Sequence, residues 1–403
     1  MKNDRTACTA AWLHRARAFG VASLAALVAL AATFAPLAGC GGGVGEGGTG
    51  YASGPITGFG SVIVNDIVFD DSAAAVEDGD GGARGRADLQ LGMTVEIDSD
   101  AIADGRARAA RVRFDSAVLG PVESVEADGF VVLGQRVAVD ETTVFDAALA
   151  AGLPALSTGQ VVEVYGLFDA GLGRLRATRV ERRALALAPL AYRVRGVVAD
   201  LAENARTLRI GAALFAYGSA LAVPSDLAVG RFVRLVVSTT PPGPLGRHQV
   251  LRFAEAQRAL ADTDGVSIKG HVNAFTSAAE LRVDGRPVDA SGAVFNGGTL
   301  ALGARVEVVG RWRAGVLLAT RVDVRSDAAE RERGFELRGP IESLAADGST
   351  LRLRGITIGL ARPGLRYENG TAADLRVGRE VDVRAIVSPG DGTRLDALVV
   401  RLR

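Results

Sequence analysis

The sequence predicts an all-β protein in which five tandem small β modules follow a helical export signal and a flexible tether. Three observations carry this prediction: a six-residue motif recurs five times, apolar and polar residues alternate within each copy, and turn residues separate the alternating runs. A period of two is typical of strands that have one buried and one solvated face. After residue 40 no long amphipathic helix is expected, and residues 146–156 would make at most a turn or two.

The N-terminus has the layout of a lipoprotein signal peptide. A basic start precedes an apolar run over residues 21–37, which Leu37-Ala38-Gly39-Cys40 closes. This lipobox pattern predicts that residues 1–39 are removed and that Cys40 becomes the lipid anchor, which attaches the protein to a membrane. The alternative is a retained transmembrane helix, for which the apolar run is short.

The residues around Cys40 predict where the protein resides. Gly41 stands where an acidic residue would retain a bacterial lipoprotein in the inner membrane, so resemblance to such proteins favours the outer membrane. The periplasmic face is expected, with surface exposure as the alternative. Cys8 lies in the removed peptide, so Cys40 is the one mature cysteine and no disulfide can form within the chain. The Gly-rich residues 40–53 are expected to form the flexible tether.

Internal repetition is the main architectural signal. The motif Gly-x-x-Val-[Glu/Asp/Arg]-[Val/Ile/Leu] starts at five glycines that are 67, 71, 73 and 75 residues apart, namely Gly92, Gly159, Gly230, Gly303 and Gly378. Five ordered copies at similar intervals indicate duplicated modules. We number them repeats 1 to 5 and assign them residues 54–115, 118–183, 192–258, 266–326 and 335–402. Because the connections are short, we expect the repeats to sit in a row.

Each repeat is expected to supply five or six strands. Asp284-Gly285 is a strong two-residue hairpin signal. The matching turns elsewhere are Asn65-Asp66, Gly134-Gln135, Gly211-Ala212 and Arg354-Gly355. A module this small buries enough surface only if its sheet closes, which favours a five-stranded barrel resembling the OB fold. A small open sandwich is the alternative.

An aromatic residue recurs at a similar place in three repeats, as Phe145, Phe295 and Tyr367. We expect these rings to fill the barrel cores, because aromatic side chains bury a large apolar area. The alternative is a platform on which a ligand stacks.

The charges of the chain are balanced, which bears on its partners. The 403 residues carry 46 basic and 46 acidic side chains, and removal of residues 1–39 leaves 42 against 45. This near-neutrality gives no global bias toward nucleic acid or anionic lipid. Repeat 1 has a net charge of −5 over residues 54–114 and repeat 3 one of +5 over residues 192–258. That contrast would either guide packing between repeats or attract an anionic polymer, although few aromatic residues are available to stack bases.

The sequence contains no motif that predicts a catalytic, cofactor-binding or metal-ligating residue. His248 and His271 are the two mature histidines, and they lie in different repeats without a neighbouring cysteine. His271 is interpreted as a surface variant. The acidic loop (residues 70–80) lacks the ligand order of a calcium loop and is interpreted as solvated.

The motif carboxylates Glu96, Glu163, Glu307 and Asp382 could suggest glycoside hydrolysis, which needs two carboxylates in one cleft. Each repeat holds only one, at a strand position that alternation assigns to the solvated face, and repeat 3 has Arg234 there. They are therefore interpreted as structural surface charges.

Residues 54–70, GPITGFGSVIVNDIVFD, follow the Gly-rich tether. With the lipobox, this stretch resembles proteobacterial tandem-repeat lipoproteins whose small β module is a domain of unknown function. The resemblance implies architecture and location and brings no catalytic residue. We therefore expect a non-catalytic cell-envelope protein that binds an envelope protein or a glycan. The alternatives are an oligosaccharide or polyanion binder that uses basic repeat 3, and a hydrolase with a site split between repeats.

Overall fold

The computed structural model describes residues 50–183, 191–240, 242–243 and 246–403. The predicted signal peptide, Cys40 and residues 41–49 of the predicted tether lie outside the described residues. Inside them the regular structure is almost entirely β, with a single α-helix of seven residues, so the all-β prediction is confirmed. Over these same ranges, no helix combines the length and the apolar character that crossing a membrane would require.

Each repeat is built on five principal strands, some of them split or supplemented by short ones. Repeat 1 contains β1 (Gly50–Phe59), β2 (Val62–Val64), β3 (Ile67–Asp70), β4 (Ala75–Asp78), β5 (Ala83–Arg84), β6 (Thr94–Ser99) and β7 (Arg106–Phe114). Repeat 2 contains β8 (Val118–Glu126), β9 (Gly129–Val132), β10 (Gln135–Ala138), β11 (Val144–Phe145), β12 (Val161–Asp169) and β13 (Arg174–Arg182). Repeat 3 contains β14 (Tyr192–Ala202), β15 (Thr207–Ile210), β16 (Ala213–Tyr217), β17 (Phe232–Val237) and β18 (Arg247–Ala254).

The last two repeats follow the same plan. Repeat 4 contains β19 (Thr263–Ser277), β20 (Glu280–Val283), β21 (Arg286–Asp289), β22 (Val294–Gly297), β23 (Arg305–Arg313) and β24 (Val316–Arg325). Repeat 5 contains β25 (Phe335–Pro340), β26 (Ser343–Leu344), β27 (Thr350–Leu353), β28 (Ile356–Gly359), β29 (Arg366–Glu368), β30 (Glu380–Ser388) and β31 (Asp391–Leu402).

The strand order closes each repeat into a barrel. In repeat 1, β1 pairs antiparallel with β2 and β6, and β2 pairs antiparallel with β3. The last strand, β7, then runs parallel to β3 and antiparallel to β6. Repeats 2 to 5 have the same order, with the first strand of repeat 5 divided into β25 and β26. Small OB-like barrels are thereby confirmed, and the open sandwich is excluded.

The hairpin turns lie close to where turn residues predicted them. Asp284 and Gly285 both have positive φ, 47° and 82°, and join Val283 to its partner Arg286. Two successive positive φ angles match the right-handed twist of the flanking strands. In repeat 2 the turn is Leu133-Gly134, one residue before the predicted pair.

β-bulges give the barrels their curvature. The first strand of repeats 1 to 4 shifts register directly after the first residue of its hairpin pairing, for example between Ile56 and Gly58 and between Val272 and Ala274. A bulge adds local bend and twist, which a strand needs in order to serve both edges of a closed barrel. In repeat 5 the break between β25 and β26 falls at this place.

The aromatic side chains do not all fill the cores. Phe145 is buried in the core of repeat 2, as predicted. Tyr367 is half-buried at the edge of the core that repeats 1 and 5 share. Phe295 is 44% exposed, so the prediction is wrong there. Its strand β22 pairs only with the edge of β24 and presents four exposed residues.

The repeats do not sit in a row as expected, because strands of different repeats pair with one another. β1 runs parallel to β19 of repeat 4 over Gly50–Ser53 and parallel to β25 of repeat 5 over Gly58–Phe59. β8 of repeat 2 pairs antiparallel with β14 of repeat 3. Repeat 1 therefore contacts repeats that follow it by about 200 residues or more, and the described repeats form one compact unit.

The start of β1 also shortens the predicted tether. Residues 50–53 were expected to be flexible because the sequence around them is rich in glycine. Instead they pair with β6 and β19, and Tyr51 and Ala52 are fully buried. The single helix, α1 (Asp327–Arg333), connects repeats 4 and 5, and its N-cap Ser326 accepts a hydrogen bond from the amide of Ala329.

Candidate functional site

Most of the motif charges are buried, which contradicts the prediction that they face water. Glu163 and Glu307 are 5% and 3% exposed, and Arg234 is 1% exposed. Glu96 and Asp382 are partly buried. Alternation correctly placed these residues on the outer face of their own barrel. It could not show that other parts of the protein pack against that face.

Glu96 joins repeat 1 to repeat 4. Nη2 of Arg286 donates to Glu96 Oε1 at 2.7 Å and to the Tyr51 hydroxyl at 2.8 Å. Burial alone would raise the pKa of Glu96, but the positive charges of Arg286, Arg195 and Arg113 hold it below its ordinary value. Glu96 therefore stays ionised inside an interface between barrels, where it balances buried guanidinium groups.

Arg234 joins repeat 3 to repeat 1. Its Nη1 donates to Asp80 Oδ1 at 2.9 Å, and its Nε lies 2.9 Å from Asp115 Oδ2. Arg193 and Arg252 also donate to Asp80, each at 3.0 Å. Burial raises the pKa of Asp115 despite these arginines. The acidic repeat and the basic repeat thus contact each other.

The acidic loop accordingly has a structural contact as well as solvated residues. Asp70 and Asp80 are exposed, as expected, yet Asp80 reaches three arginines of repeat 3, and Asp71 is buried against Arg86. Across the described ranges, no group of three or more histidine, cysteine, aspartate or glutamate side chains is placed to hold a metal ion.

A central cleft of 570 Å³ that could take a ligand is lined by repeats 1, 2, 4 and 5 and by α1. Its volume lies within the range of small-molecule sites, roughly 300–1,000 Å³. Most of its wall is apolar. The principal apolar side chains are Ile56, Val139, Phe145, Leu167, Phe335, Ile386 and Val387.

Cationic side chains of repeat 4 line another part of the cleft. Lys269 Nζ lies 2.5 Å from Glu330 Oε2 of α1, and this buried pair holds the pKa of Glu330 below its ordinary value although burial would raise it. Arg305 lies 3.5 Å from Asp327. Strands β19 and β23 position Lys269 and Arg305 on the cleft side of repeat 4.

His271 is also in this wall, so its interpretation as a surface variant is wrong. The side chain is 2% exposed, and its Nδ1 lies 2.9 Å from the carbonyl oxygen of Gly303. Burial lowers the pKa of His271, so the ring is neutral at pH 7 and Nδ1 must carry the proton that it donates. His248, the other mature histidine, lies in repeat 3 and is buried beside Phe215.

Sequence reasoning missed the cleft because it forms between repeats. Lys269 did carry a signal, since it is the one lysine after residue 2 in a chain otherwise supplied with arginine. Arg305 and Glu330 carried no distinguishing pattern.

Comparison with known proteins identifies a repeated domain. Three segments, residues 120–181, 269–323 and 338–400, match a family model described as a domain of unknown function, DUF5666. These segments lie in repeats 2, 4 and 5, so the expectation of a repeated domain of unknown function is confirmed. No curated protein matches the chain.

Among solved structures, the chain is similar to Drosophila Unr CSD456. The two share 12% sequence identity and a TM-score of 0.14, over 72% of this chain and 97% of that chain. The assignment of OB-like barrels rests on the strand order described above.

Proposed function

We propose that the protein is a non-catalytic, lipid-anchored cell-envelope protein that binds a partner or ligand through its assembly of OB-like modules. The observation that carries this proposal is the central cleft, which four repeats and α1 build together. An envelope protein or a glycan is the expected kind of partner. The finer family assignment, a proteobacterial tandem-repeat lipoprotein, belongs to the same proposal.

Anchoring through Cys40 is supported by the lipobox at residues 37–40. Two acyl groups would hold the chain on a membrane, where one alone binds marginally. We propose the outer membrane, with the periplasmic face preferred over surface exposure. Since β1 begins at Gly50, about nine residues separate the anchor from the first barrel.

The first alternative, a polyanion or oligosaccharide binder that uses repeat 3, has weaker support. Arg193, Arg234 and Arg252 of that repeat bind Asp80 of repeat 1, so part of its positive charge is balanced within the protein. Retention on a heparin column that falls as salt is raised would favour this alternative. The second alternative, a hydrolase, would require turnover that one carboxylate substitution abolishes.

The anchor can be tested by metabolic labelling with radioactive palmitate. Cys40→Ser should abolish labelling and outer-membrane fractionation, whereas Cys8→Ser, a cysteine in the predicted signal peptide, should leave both unchanged. Continued labelling of the Cys40→Ser variant would contradict lipidation at this residue. Loss of labelling in both variants would indicate failed export instead.

A further inference from the structure

The central cleft has two kinds of surface, and together they limit what it can bind. The side that repeats 1 and 5 provide is apolar, with Ile56, Phe335 and Ile386 among its side chains. Phe335 is only 7% exposed, so its ring is held in the core and offers little face for stacking a sugar. The aliphatic side chains of Ile386 and Val387 stay partly exposed there, so this side favours a flexible apolar chain over an oligosaccharide.

The repeat 4 side carries two unsatisfied polar atoms on neighbouring side chains. Among the described residues, Nε of Arg305 and Nε2 of His271 have no hydrogen-bond partner. His271 and Arg305 are direct cross-strand partners on β19 and β23, so their side chains lie on the same face of the sheet. Both residues line the cleft, and the two atoms themselves lie just beneath its surface, so a ligand reaches them when the side chains turn toward it.

The chemistry of these two atoms is complementary. Arg305 Nε is a donor, and its guanidinium has one ion pair, at 3.5 Å to Asp327. His271 donates through Nδ1 to Gly303, so Nε2 of the neutral ring is an acceptor. A buried donor and a buried acceptor without partners each cost free energy, which a ligand with the opposite groups would recover.

We propose that the cleft binds a single-chain amphiphile with a hydroxy-carboxylate head, of the 3-hydroxy fatty acid class. The carboxylate accepts from Arg305, the hydroxyl donates to His271 Nε2, and the chain lies against Ile386 and Val387, which are partly exposed in this wall. This inference rests on the proposed binding function and names its ligand.

Photolabelling tests the site directly. The full-length lipidated protein, in phosphatidylcholine nanodiscs, is exposed to 3-hydroxydodecanoate that carries a terminal diazirine, and labelled peptides are mapped by mass spectrometry. Label is expected on the repeat 5 segments around Phe335 and Ile386. Unlabelled 3-hydroxydodecanoate should suppress it at about fivefold lower concentration than dodecanoate, and dodecanol should be weaker by a further tenfold or so, from the usual strengths of neutral and charged hydrogen bonds.

Variants separate the head from the chain. Arg305→Gln should remove the advantage of the carboxylates over dodecanol, and His271→Phe should remove the advantage of the hydroxyl. Ile386→Trp, which fills the cleft, should abolish cleft labelling. Arg311→Gln, an exposed arginine on the same strand as Arg305, is the matched control and should label like the unmodified protein. Circular dichroism identifies any variant that fails to fold.

Several results would overturn the inference. Label scattered over the surface, label that Ile386→Trp leaves unchanged, or equal competition by 3-hydroxydodecanoate and dodecanol would each do so. If the cleft of the unmodified protein takes no label although Cys40 still incorporates palmitate, this ligand is refuted while the proposed envelope role stays intact.

Discussion

Replacing Arg234 by methionine is expected to weaken the contact between repeats 1 and 3. The arginine is 1% exposed and lies 2.9 Å from a carboxylate oxygen of both Asp80 and Asp115. Methionine keeps much of the apolar stem but removes the charge. Asp115, whose side chain is 12% exposed, then loses the cation that most lowers its pKa, while Arg113 and Arg195 remain nearby.

The magnitude follows from the cost of an uncompensated buried charge. Removing one partner of a buried ion pair typically destabilises a protein by about 3–5 kcal/mol. Because Arg113 and Arg195 still screen Asp115, we expect the lower end, about 3 kcal/mol. The matched control is Arg231→Met in the same repeat: Arg231 is 44% exposed and pairs with exposed Asp226, so its loss should cost about 0.5 kcal/mol or less.

The assay is native-state hydrogen exchange of the β17 amides, which reports local opening in a protein too large for a two-state treatment. A raised pKa in the folded protein means that folding favours the protonated carboxyl, so its stabilising contribution is present at low pH and is lost as pH rises. The Arg234→Met variant raises the pKa of Asp115 further. The loss of stability relative to the unmodified protein should therefore become smaller as pH falls from about 8 to about 5. A deficit below about 1 kcal/mol, or one that is independent of pH, would refute this reasoning.

Three further predictions concern the barrels and the acidic loop. Phe130→Ala, which removes a ring that is 1% exposed, should cost about 3–5 kcal/mol, whereas Phe295→Ala, at 44% exposure, should change the urea midpoint little. Gly92→Ala should lower the melting temperature more than Gly378→Ala: both glycines have φ near 80°, but only at Gly92 would the new Cβ meet the Thr178 carbonyl oxygen, at 2.3 Å. EDTA should leave the melting temperature unchanged, and a calcium-dependent shift would contradict the solvated-loop interpretation.

The fold was largely predictable because its determinants are local. Alternating residues such as Leu281 and Val283 specify a strand with one buried face, and Asp284-Gly285 specifies a turn. Small size then forces the sheet to close. None of these inferences needs knowledge of a distant residue.

The candidate site could not be predicted because its determinants are contacts between repeats. Glu307 was predicted to face water because of alternation, which defines a face of one barrel but not what covers it. His271 was interpreted as a surface variant but is equally buried. Tyr51 was predicted to lie in the flexible tether because glycines surround it, although strands from two repeats bury it. The prediction for Phe295 was wrong for the converse reason. Its position in the repeat matched that of a core residue, but its short strand lies at an edge.

Strand β1 has a consequence for how the chain matures during synthesis. Its two halves pair with β19 and β25, which the ribosome makes more than 200 residues later. Until those strands emerge, a length of β1 offers unpaired backbone groups, a surface that recruits strands from other molecules. A nascent molecule halted before repeat 4 would therefore be prone to aggregate, and a chaperone that shields β1 until the later strands arrive would protect it.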